Sequence, residues 1–198
     1  MRLPILRCYF EYGTTIQNFN QSFGGIHMPI TPEFRAEVEE AQRLRGWITN
    51  SYAQIEFLLG DLIIRMRSFP IYKSETSVFT HSASKRIVKI KQMLEKDGPL
   101  NPFKSELADA IGIFQASQEI RNLLAHGYCT FLYTPDGDTG LLFQKWHRHN
   151  ERDDAQLVRL FRIDDLIREK EQLANFAQDT MQIFVRIHAH FGWIKDQH

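Results

Sequence analysis

Three side chains in the middle of the chain are of types that can handle a phosphate and a proton. Arg121 carries a guanidinium, Asn122 an amide and His126 an imidazole, all within Arg121-Asn122-Leu123-Leu124-Ala125-His126. An imidazole titrates near neutral pH, so His126 can give or take a proton. A guanidinium neutralises charge that gathers on a phosphoryl group. Asn122 can orient the imidazole or donate to a phosphate oxygen. One such histidine per chain is too few for separate acid and base. A symmetric dimer with two motifs facing across the interface would supply both.

The element that must hold these groups is the most apolar helix in the chain. The pattern predicts it from about Pro102 to His126, with Asn101 as N-cap and Gly127 as its stop. At roughly 100° per residue, Ile113, Ala116, Ile120, Leu123 and Leu124 fill one sector. Leu107, Ala110, Ile111 and Phe114 extend it. Gln115, Glu119, Asn122 and His126 form a narrow polar stripe, on which Asn122 and His126 stack one turn apart. Arg121 falls inside the apolar sector. A carboxylate or a partner subunit meets it there, or its guanidinium snorkels out. Glu56, at the margin of an earlier apolar stripe, is the candidate counter-charge. The alternative is that Glu56 reaches solvent. Glu56 and Glu119 are the two supporting candidates.

The flanking elements follow from caps and periodicity. Residues 1–30 read as an irregular arm broken by Gly and Pro. Its Phe10, Tyr12, Phe19 and Phe23 are too apolar for a free tail, so part of it should pack on the body or on a second subunit. Thr31-Pro32-Glu33 starts a helix that continues to about Ser68, with Leu44, Ile48, Tyr52, Ile55, Leu59, Leu62, Ile63 and Met66 in one stripe. Residues 69–82 read as a loop opened by Pro70. Ser82 or Ser84 caps a short helix to about Lys96, ended by Asp97-Gly98-Pro99. Its Lys85, Arg86, Lys89 and Lys91 form a basic cluster. They are either a solvated face or a phosphate-contacting flank of the Arg121–His126 site.

After Gly127 the period changes to alternation. Tyr128–Thr134 and Leu141–Trp146 predict a β-hairpin around the turn 135–140, and 156–163 adds a third strand. A last helix runs from Ile163 to about Phe191, with an Asp cap and a stripe from Leu166 through Phe176 and Met181 to Phe191. The fold class is therefore mainly α: a four-to-five-helix bundle with a small antiparallel β-hairpin or three-stranded insertion. The organisation is an arm over 1–30 and a single helical domain over 31–198.

Composition narrows the function classes. The 24 Lys+Arg balance 24 Asp+Glu, which argues against a broad nucleic-acid-coating surface but leaves room for a local groove. Cys8 and Cys129 make neither a metal-ligand spacing nor a disulfide framework. Reduced thiols, the absence of a signal-like apolar run and the lack of any membrane-length segment lead to the expectation of a cytoplasmic protein that does not enter a membrane. His147 and His149 would share a strand face, but no ligand set accompanies them. His188 and His190 diverge on a helix, so neither a metal nor a cofactor is expected. Cys129 beside the motif reads as a buried small hydrophobe before a nucleophile.

The motif Arg-x4-His, with a polar residue after the Arg and a Gly after the His, at the end of a helix in a helical domain, resembles the HEPN superfamily. The resemblance implies a helical domain that dimerises. It also implies a metal-independent endoribonuclease acting through Arg121, Asn122 and His126, leaving a 2′,3′-cyclic phosphate, in toxin–antitoxin or phage-defence settings. An antitoxin or another protein partner then joins RNA among the expected partners. Other members lack catalysis, so a noncatalytic dimerisation or binding module is the competing expectation. In that case His126 caps a helix end and Arg121 sits in a structural ion pair.

Overall fold

The structure is a computed structural model that describes residues 7–8, 31–133, 139–150 and 153–193. It is mainly α with a small antiparallel sheet, the class the periodicities predict. The order is β1 (Arg7–Cys8), α1 (Pro32–Arg65), α2 (Lys73–Thr76), α3 (Ala83–Glu95), α4 (Lys104–Ala116), α5 (Gln118–His126), β2 (Tyr128–Tyr133), β3 (Thr139–Asn150), β4 (Asp153–Arg162) and α6 (Ile163–His190).

The helix starts have visible causes. The Thr31 hydroxyl accepts from the Phe34 amide at 3.2 Å, and Pro32 opens α1 where no backbone donor is needed. The Ser82 hydroxyl accepts from the Lys85 amide and so begins α3. At α6, the Asp165 carboxylate accepts from the Arg162 amide at 3.0 Å.

Several boundaries differ from the sequence reading. The long apolar helix is two helices, α4 and α5, separated at Ser117. There the Ser117 hydroxyl donates to the Phe114 carbonyl at 3.0 Å, a local bond that competes with regular helical geometry. Asn101 does not cap α4. It opens a 3₁₀ turn, Asn101–Phe103, that leads into it. Residues 69–82 are not all loop, because a 3₁₀ turn over Pro70–Tyr72 runs into α2. Ile113 and Met181, assigned to apolar stripes, are exposed.

The chain divides into two compact units, Met1–Gly46 with Leu123–Arg168, and Trp47–Asn122 with Glu169–His198. In the first, the sheet runs β1-β2-β3-β4, all antiparallel. The β2-β3-β4 part is the three-stranded form of the expected insertion, and Arg7–Cys8 adds a fourth strand by pairing with Phe131 and Leu132. The rest of the predicted arm, with Phe10, Tyr12, Phe19 and Phe23, lies outside the described residues, as do 134–138; of the turn predicted over 135–140, Thr139 and Gly140 belong to β3. One sheet face is core: Leu141, Phe143 and Phe161 are buried, with Phe143 and Phe161 edge to face at 5.7 Å. Gly127 joins α5 to β2. A Cβ there would run into the Leu123 carbonyl oxygen, so the turn would have to shift to take a side chain.

In the second unit, Ile48, Tyr52, Ile55 and Leu62 of α1 share a core with Ile90, Phe114 and Phe184. The buried Tyr52 hydroxyl donates to Glu169 at 3.0 Å. Burial raises its pKa, with the Ser117 hydroxyl acting against that and the Glu169 charge adding to it.

Candidate functional site

Helix α5 carries Arg121, Asn122 and His126. Its amphipathic pattern buries Leu123 and Leu124 and leaves Ala125 and His126 exposed. Arg121 is half-buried, and its Nη2 contacts Glu56 Oε1 of α1. The Glu56 side chain is 14% exposed and that of Arg121 23%. The counter-charge suggested by the α1 periodicity is therefore in contact. Oε1 accepts no hydrogen bond of regular geometry, so the contact is charge against charge. The same guanidinium donates through Nη1 to Asn122 Oδ1 at 2.6 Å. Arg121 is thus held between a carboxylate and an amide. The Arg121 side chain stays partly accessible.

His126 follows Asn122 by four residues, at the C-terminal end of the same helix. That position suits an imidazole, since the last carbonyls of a helix favour positive charge. The main-chain carbonyl of Leu124 in this last turn is gripped by Arg45 Nε at 2.9 Å. The Arg45 guanidinium also stacks over Phe143, 5.1 Å from the ring centre. Sequence reading did not single out Arg45. Its partner is a carbonyl 79 residues away, and no local signal marks such a pair. Glu119 is exposed in the first turn of α5, where an acid suits the helix dipole.

The α3 cations are placed differently. Arg86 Nε donates to the Thr80 carbonyl at 2.8 Å and Nη1 to the Glu56 carbonyl at 2.8 Å, with its guanidinium over Phe79. The same guanidinium lies beside Gly60, where a Cβ would make ordinary van der Waals contact with Nη1 at 3.4 Å. Lys89 Nζ donates to the Glu75 and Val78 carbonyls, each at 2.6 Å. Lys91 donates to the Gln115 side chain at 2.7 Å, and Lys85 is exposed. Arg86 and Lys89 therefore hold the 75–80 segment. Arg86 also fixes the main chain at Glu56, which in turn meets Arg121.

Cys129 is a half-buried free thiol on β2. Burial pushes its thiol pKa up to about 11 against the opposing Arg45 charge, so it stays protonated at neutral pH. His188 Nε2 lies 3.2 Å from Asp61 Oδ2, an oxygen that already accepts from Arg65 at 2.6 Å. Burial lowers the His188 pKa below its ordinary 6.5, the Arg65 charge lowers it further, and Asp61 opposes both. His190 packs edge-on against Phe103 and Phe191. Among the described residues no group of three or more His, Cys, Asp or Glu side chains is placed to hold a metal ion, and no helix is long and apolar enough to cross a membrane. The side chains of His147 and His149 lie outside the described residues. No family model, no curated protein and no solved structure matches the chain.

Proposed function

We propose that the chain is a metal-independent endoribonuclease whose reacting groups are Arg121, Asn122 and His126. The observation that carries the reading is that one helix presents an exposed imidazole at its end and a partly exposed guanidinium steadied by Glu56 and Asn122. Cleavage by the 2′-hydroxyl needs a base for that hydroxyl, a cation for the phosphorane charge and an acid for the leaving oxygen. His126 serves as base in one copy of the chain and its counterpart in a second copy serves as acid. Arg121 neutralises the phosphorane, and Asn122 orients the phosphate or the imidazole. The products are a 2′,3′-cyclic phosphate and a free 5′-hydroxyl. A homodimer follows from this division of labour, and a protein antitoxin or a phage-defence setting would supply control.

A second reading is favoured by the Arg121–Glu56 contact itself. If that ion pair is purely structural, the chain is a noncatalytic dimerisation or binding module. The separating experiment incubates the protein with single-stranded RNA in EDTA. The nuclease reading expects fragments ending in a cyclic phosphate and no cleavage where the scissile 2′-hydroxyl is replaced by hydrogen. Intact RNA favours the module, and equal cleavage of the deoxy substrate contradicts attack by the 2′-hydroxyl.

A further inference from the structure

His126 stands at the end of α5, and Arg45 of α1, a residue of the same compact unit, holds that end. The last carbonyls of a helix have no partner within it, so a final turn frays unless something else takes them. Here the Gly127 amide donates to the Leu123 carbonyl at 2.8 Å, and Arg45 Nε donates to the Leu124 carbonyl at 2.9 Å. The first bond is local. The second joins residues 79 apart and ties the turn to a different helix.

Arg45 is itself held in place. Its guanidinium lies over the ring of Phe143, which is fully buried. The same ring backs the turn, since a Cβ at Gly127 would come 3.2 Å from Phe143 Cδ1. Phe143 pairs with Cys129 of β2, three residues past His126. Burial raises the Cys129 thiol pKa and the Arg45 charge opposes it, so the guanidinium is also within electrostatic reach of that strand. One cation therefore meets the helix end, the ring beneath the turn and the start of β2. A group that gives or takes a proton works only when held to about 0.5 Å. We infer that Arg45 is a positioning residue, which fixes the last turn of α5 and with it the place of the His126 imidazole. Its action is indirect, through the Leu124 carbonyl. This rests on the reading of His126 as acid or base, and one of its two readouts needs no RNA.

Arg45→Met and Arg45→Gln in the full chain form a matched pair. Both keep the stem and lose the charge, but only glutamine places an N–H where Nε sits. With single-stranded RNA in EDTA, Arg45→Met should lower kcat by about 30-fold while KM and melting temperature stay near wild type. Arg45→Gln should recover most of that loss. Arg67, whose Nε donates to the Thr76 carbonyl at 3.0 Å in the other unit, supplies the control: Arg67→Met should leave kcat unchanged. The readout without RNA is hydrogen exchange at the Gly127 amide, which Arg45→Met should speed by about tenfold and Arg45→Gln should not. A wild-type chain that never cleaves RNA but shows this exchange pattern upholds the hold on the turn and overturns the nuclease reading. The positioning role is overturned by a wild-type kcat in Arg45→Met, by an equal loss in Arg45→Gln or Arg67→Met, or by a change in KM alone. Exchange at Gly127 that ignores Arg45 overturns it too, as does an Arg45→Met chain that fails to fold, which would make the bond structural.

Discussion

Two arginines reach α1 at the same residue, and they do different work. Arg86 donates to the main-chain carbonyl of Glu56, and Arg121 contacts its carboxylate. The partners of Arg86 are carbonyls at Glu56 and Thr80, which belong to the framework. Arg121 meets side chains, the carboxylate of Glu56 and the amide of Asn122. The cluster with more positive charge in the sequence, on α3, spends Arg86 and Lys89 on the chain's own carbonyls. The sparser set on α5 keeps an exposed imidazole and a partly exposed guanidinium set against side chains. The number of cations is therefore a poorer guide to a site than what their donors already hold.

The comparison breaks first at Arg121. Arg121→Lys keeps the charge but loses the planar fork, so cleavage should fall by about 100-fold or more. Near-wild-type turnover would mean that a point charge suffices. Arg86→Ala should cost about 2 kcal/mol of stability, from two charged hydrogen bonds and the Phe79 contact, whereas Lys85→Ala should cost less than about 0.5 kcal/mol. Equal losses in thermal melts would erase the contrast between framework and surface cations on α3. Gly127→Ala should cost about 1–3 kcal/mol, because its Cβ would have to displace the Leu123 carbonyl at the turn below His126. Denaturant titration giving an unchanged midpoint would show that this turn has slack.

The smallest effect concerns pH. The folded His188 has a lowered pKa, so the unfolded chain binds more protons as pH falls toward and below 6.5. Its contribution therefore destabilises the fold on acidification and vanishes at higher pH. Facing it are Asp61, Arg65 and Trp193. His188→Gln should flatten the acid limb of the stability curve slightly and leave the limb above pH 7 unchanged. A steeper acid limb would mean that Asp61 wins instead.

Much of this arrangement was legible in the sequence. Thr31-Pro32 and Ser82 announce helix starts by cap chemistry, and the alternation after Gly127 announces strands. Glu56 stood out because an acid beside an apolar stripe needs a partner, and Arg121 stood out for the same reason with opposite sign. The break at Ser117 left no signature, since a serine fits a continuous helical pattern as well as an interrupted one. Arg45 was invisible because its partner is a backbone carbonyl. Ile113 and Met181 misled because a helical wheel reports which residues are apolar, not which side has a neighbour. The strand at Arg7–Cys8 is two residues long, too short to show a period.

The most direct test of the central claim compares the cleavage rate of single-stranded RNA in EDTA for wild type and His126→Ala, with melting temperatures taken on the same samples. His126 is exposed at a helix end, so its truncation opens no core cavity and should shift melting by no more than about 2 °C. The expected result is a rate loss of about 100-fold or more with that melting temperature essentially kept. Cleavage by His126→Ala at the wild-type rate, or a loss that appears only because the variant unfolds, would contradict the assignment.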